Sequence, residues 1–130
     1  MHKKLLGFGL GLALLTGSTA AWAGGKGYSP VYISVLSRYA TGSMGDARNS
    51  TDTLQGISIT FDASSNSEFA YVNISDSTGL WAFCSTSSST MISAMKAVNS
   101  DARVTVSWDQ NGVCTSFTVD NSSWSSPKLP

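Results

Sequence analysis

Residues 103–120 limit the possible folds more than any other stretch of this 130-residue chain. Asn111-Gly112 sits there between two alternating runs. That dipeptide favours a two-residue type I′ turn, because both central residues of such a turn need positive φ. The turn sets the register. With Gln110 opposite Val113, Trp108 faces Thr115, Val106 faces Phe117 and Val104 faces Val119. The apolar residues of one arm meet the apolar face of the other, so local turn chemistry and long-range pattern agree. Cys114 falls opposite Asp109 on the second face, and a bridge from it has to leave on that side. A two-stranded hairpin is marginal alone, so this one has to bury its apolar face against further elements.

The upstream pattern supplies them. Val31, Ile33 and Val35 alternate with Tyr32, Ser34 and Leu36, which predicts one strand over 31–38 with both faces partly covered. Residues 41–54 carry Gly42, Gly45, Asp46, Asn49 and Asp52, and read as a long loop with room for one helical turn. Over 55–62, Ile57, Ile59 and Phe61 face a core while Ser58, Thr60 and Asp62 face water. Phe69, Tyr71, Val72 and Ile74 predict extended structure over 68–75, and a short apolar strand follows over 80–84. The period then changes. Ser88 or Ser89 can cap a helix in which Met91, Met95 and Val98 recur at helical spacing as core filler. The expected class is β-rich α+β. One short helix before the C-terminal hairpin cannot cover both faces of a flat sheet, so a small, partly open OB-like barrel is expected. A β-sandwich with an accessory helix is the alternative.

The chain begins with the marks of a secretory signal over 1–23: His2-Lys3-Lys4, an apolar run of about eleven residues, and Ala21-Trp22-Ala23 as the small-x-small cleavage pattern. The run is too short for a membrane span, which needs ~20 residues. Residues 24–130 then form a single β-rich domain, its Gly-rich start over 24–30 reading as an exposed, mobile terminus. The expected location is secreted or periplasmic. Beyond the leader stand six Lys/Arg against eight Asp/Glu. That balance argues against nucleic acid and against adhesion to anionic lipid, which both need a positive field. In an oxidising compartment Cys84 and Cys114 pair most simply with each other, a closure stabilising the fold by roughly 3 kcal/mol.

Catalytic chemistry finds little to work with. The single histidine, His2, leaves with the leader, so neither a Ser-His-Asp nor a Cys-His nucleophile can be assembled. No cofactor and no metal set is expected. Asp62 and Glu68 flank one turn and are the best remaining carboxylate pair for a histidine-free hydrolase, the least favoured reading. Asp109 to Gly112 lacks most ligands of a calcium loop. Asn-x-Ser/Thr triplets begin at Asn49, Asn73 and Asn121, as chance provides in so Ser/Thr-rich a chain, and no sugar is assigned.

The segment Gly45-Asp46-Ala47-Arg48-Asn49-Ser50-Thr51-Asp52 with Gln55, the stretch from Trp108-Asp109 to Cys114-Thr115, and Pro127-Lys128 resemble a group of small secreted proteins of Gram-negative bacteria sharing an ARNSxDxxQ-like segment. The resemblance implies secretion and a shared fold, and carries no assigned activity. It also implies a further cysteine pair in the second and third strands; here those strands have none, which implies one lost disulfide.

Candidate ligand-binding residues are therefore Trp81, Trp124, Arg48, Asn49 and Asp52. Trp81 lies with Phe83 on the face opposite Cys84, whereas Trp108 reads as packing. Trp124 stands in the polar tail over 121–130, where an indole either docks on the barrel, the favoured reading, or meets a partner. Asn49 and Asp52 are loop formers that bond nearby backbone, and Arg48 is expected to pin the loop to a carboxylate. The expected function is a small exported, non-catalytic binding module for a glycan or protein ligand. A periplasmic structural or inhibitor-like protein acting on another exported protein is the alternative.

Overall fold

The structure, a computed structural model, describes residues 26–127 and 129. The expected leader lies outside the described residues. The elements run β1 (Tyr32–Ser34), β2 (Tyr39–Ser43), α1 (Met44–Asn49), β3 (Gly56–Ala63), β4 (Glu68–Ser75), β5 (Trp81–Thr86), α2 (Ser89–Lys96), β6 (Arg103–Trp108) and β7 (Cys114–Asp120). They make a β-rich α+β fold of two antiparallel sheets, ordered β1-β2-β6-β7 and β3-β4-β5. The sheets do not close into a barrel. At one corner they touch through a single parallel bridge, Ser85 to Val113, where the Ser85 N–H donates to the Gly112 carbonyl at 3.0 Å. The neighbouring Cys84 and Cys114 form the disulfide, so it staples the two sheets where they meet. Across the molecule the Val31 N–H donates to Gln55 Oε1 at 2.9 Å, a side-chain bond spanning the gap between the segment entering β1 and that entering β3.

The core lies between the sheets. It takes Val31 and Ile33 from the first hairpin, Ala70, Val72 and Ile74 from β4, Cys84 from β5 and Val106 from β6. Helix α2 seals it with Ile92 and Met95. Ser88 caps α2, its hydroxyl accepting the Met91 N–H, as one of the two expected caps. Ile57, Ile59 and Trp108 pack on this core from its margin. Phe61, expected inside, reaches past its edge and lies under the Lys96 ammonium, 5.8 Å from the ring centre.

Five expectations need correction. Residues 31–38 are not one strand: β1 turns back into β2 through Arg38 at φ 49°, which leaves Val35 and Leu36 exposed at the hairpin tip. The expected loop over 41–54 holds the end of β2 and the whole of α1, so the described residues form two helices, not one. Ser43 caps α1 by accepting the Asp46 N–H at 3.2 Å.

The start of the domain is not loose from Lys26 onward. Gly27 bridges Ser125, its N–H donating to the Trp124 carbonyl, and the Ser29 N–H donates to Asp46 Oδ2 at 2.7 Å. The Asn111-Gly112 turn is not type I′, since Asn111 keeps a negative φ and only Gly112, at 75°, is left-handed. Asp109 Oδ1 accepts the N–H groups of Asn111 and Val113, and this Asx-type geometry takes over the turn. The extra turn residue forces a bulge. Val104–Val119 and Val106–Phe117 pair as expected, but Trp108 then pairs with Cys114 instead of Thr115. The shift brings Cys114 into the core, correcting its placement opposite Asp109 on the second face.

Candidate functional site

The ARNSxDxxQ-like segment folds into a clasp that holds both ends of the domain. Asp52 Oδ1 accepts the N–H groups of Leu54 and Gln55, and Oδ2 accepts the Gln55 side-chain amide. These bonds, that of the Gln55 side chain foremost, hold the Asp52 carboxyl below its ordinary value. Gln55 passes the connection on to Val31. Asn49 reaches the other way: its amide donates to the Pro127 carbonyl at 2.9 Å and its Oδ1 accepts the Leu129 N–H at 2.7 Å. So Asp52 is the expected loop former, whereas Asn49 binds the distant tail rather than its own loop. Arg48 has no carboxylate partner among the described residues and is exposed, against its expected role as a pin.

Arg48 borders the larger of two neighbouring clefts. This cleft, about 500 Å³, lies between α1 and the start of β3, with Asp52, Gln55, Gly56 and Ile57 in its wall. A second, about 360 Å³, runs from Gly56 and Ile57 across Asn73 and Ser75 to Trp81. Two sequence candidates, Arg48 and Trp81, thus border clefts that share Gly56 and Ile57.

Trp81 belongs to a larger surface. Directly paired residues share a face of a sheet, and so do residues two apart along a strand. The registers Ser75–Trp81, Asn73–Phe83, Ser58–Asn73, Thr60–Tyr71 and Asp62–Phe69 therefore place all of these side chains on one face of β3-β4-β5, away from the buried Ala70, Val72 and Ile74. Four aromatics stand on it. Trp81 is 67% exposed, Phe69 42% and Phe83 39%, and Tyr71 stacks on Phe83 with ring centres 6.0 Å apart. Between them are hydroxyls and an amide, with Asp62 as the face's one charged side chain. The expectation singled out Trp81 with Phe83 but missed that Phe69 and Tyr71 join them. The signal was present: in Phe69-Ala70-Tyr71-Val72-Asn73-Ile74 the odd positions are aromatic or polar and the even ones aliphatic, a strand apolar on both faces.

Other candidates separate. The backbone around Trp124 docks on the domain start, but the residue is 67% exposed, so its side chain is not buried against the domain as expected. Asp62 lies opposite Phe69 on the outward face; Glu68 lies opposite Ala63 on the inward face, where it pairs with Lys96 at 2.6 Å. The two carboxylates point to opposite sides of the sheet and cannot flank one bond. Among the described residues no group of three or more His, Cys, Asp or Glu could hold a metal ion, and no helix is long and apolar enough to cross a membrane. Compared with models of protein families, with curated proteins and with solved structures, the chain matches none.

Proposed function

We propose that this is an exported, non-catalytic glycan-binding domain, whose ligand lies on the outward face of β3-β4-β5 with a sugar ring stacked on Trp81. The carrying observation is the aromatic face itself. A sheet normally turns such side chains inward, and an uncovered apolar patch on a small domain marks a contact surface. Aromatic rings offer a flat apolar surface to the C–H faces of a sugar. Asn73, Ser58, Ser75 and Asp62 supply neighbouring groups able to meet its hydroxyls. Export is supported by the leader and by the Cys84–Cys114 disulfide, which persists in oxidising compartments.

A printed glycan array tests this. Binding to a sugar is expected, with a loss of at least about tenfold in Trp81→Ala and no change in melting temperature, because hot-spot aromatics cost that much when truncated and an exposed ring adds little to the fold. A clean negative array counts against it. The second reading is a partner protein, favoured by exposed Tyr28, Trp124 and Leu129 near the joined ends of the domain. It predicts one stoichiometric partner co-purifying with the exported protein, lost in Trp124→Ala.

A further inference from the structure

We propose that the ligand surface continues past Trp81 into the cleft beside α1, where Arg48 receives a carboxylate of the same glycan. This rests on the glycan reading and extends it to the ligand's charge and length. The two clefts share Gly56 and Ile57. Gly56 stands on the outward side of β3, paired with Ser75, which in turn pairs with Trp81. It has no side chain to divide the clefts, and a Cβ added there would meet only Ser75 Oγ, at 3.5 Å.

Apart from the Thr53 hydroxyl, the polar groups of the α1 cleft are largely paired within the domain. Both Asp52 oxygens accept N–H groups, Gln55 uses its oxygen on Val31 and its amide on Asp52, and the Ser50 hydroxyl donates to the Ala47 and Asp52 carbonyls. Arg48 makes no hydrogen bond or ion pair among the described residues. Its guanidinium is a planar fork of donors whose geometry matches a carboxylate at two points. An oligosaccharide of two or more units, one ring on Trp81, can extend over Gly56 and end its acidic group at Arg48. A neutral sugar offers that donor only hydroxyls, without the opposite charge or the two-point match.

The test uses carboxylated oligosaccharides, each beside its carboxyl-reduced counterpart, titrated against the oxidised domain. The acidic member should bind about tenfold more tightly, the usual scale for a charge-assisted hydrogen-bonded pair. Arg48→Ala should abolish that preference, with the wild-type melting temperature as the control for folding. Gly56→Leu should abolish it too, by obstructing the passage between the clefts. Raised salt should narrow it, as for any exposed ion pair. Equal binding of the two members, or a preference that survives both substitutions, overturns the anionic subsite and leaves the Trp81 reading standing. Failure of both members to bind overturns both readings.

Discussion

At the scale of single residues, the clasp depends on close approach and on charge. Gly45 lies in α1, where its backbone is crossed by the C-terminal tail: a Cβ there would collide with the Ser126 carbonyl oxygen. Helix propensity alone makes Gly→Ala stabilising by ~1 kcal/mol. The collision reverses the sign. Gly45→Ala should cost about 1–3 kcal/mol, the scale of overpacking, and lower the melting temperature by several degrees while exposing the tail to protease. A variant that melts higher than wild type would show the tail lies elsewhere.

Asp52 gives a pH signature. Its folded carboxyl is held below the ordinary value by Gln55 and the backbone amides, so the ionised form stabilises the fold. That stabilisation is complete above the unfolded-state value, about pH 4, and is lost as pH falls through the folded one. In denaturant melts from pH 7 to pH 2, wild type should exceed Asp52→Asn at neutral pH, and the gap should close on the acid side. A gap that is constant with pH would exclude the ionised clasp.

Elements test what the pattern could and could not reveal. The C-terminal hairpin was legible in its strands, since Val104–Val119 and Val106–Phe117 follow from matching two apolar faces. Its turn was not, because Asn-Gly fits two turn types and the choice is made by Asp109, two residues upstream, capturing two backbone N–H groups. The consequence is measurable. Gly112→Ala should cost about 1–2 kcal/mol for a left-handed residue that gains a Cβ. Asn111→Ala should change stability by less than about 0.5 kcal/mol, whereas a type I′ turn would make both costly. The first hairpin escaped notice for a related reason. Its tip residues, Val35 and Leu36, are apolar yet exposed, so alternation runs straight through the reversal. Helix α1 was hidden by glycine and by loop-forming Asp and Asn, which serve there as a crossing point, a tether to Ser29 and a tether to the tail. Likewise, the aromatic face was visible only strand by strand. That Tyr71 meets Phe83 is fixed by the β4–β5 register, which no local pattern supplies.

For the molecule as a whole, the disulfide carries a disproportionate share of closure. It sits beside the bridge that joins the two sheets, 30 residues apart in the chain, and that joint has little backbone pairing of its own. Labelling the folded protein without reductant should find no free thiol. Replacing Cys84 and Cys114 together with Ala should lower stability by about 2–5 kcal/mol, as for native bridges in small secreted domains. The rest of the closure is assigned to segments far apart in the sequence. Gly27 pairs with Ser125, the Lys26 ammonium donates to the Ser123 carbonyl, and Asn49 waits for Pro127 and Leu129. Lys26 and Ser123, 97 residues apart, are thus held side by side. A single proteolytic nick after Asp120 would therefore release the opening segment as well, so loss of the tail and loss of order at Lys26 and Gly27 should arrive together.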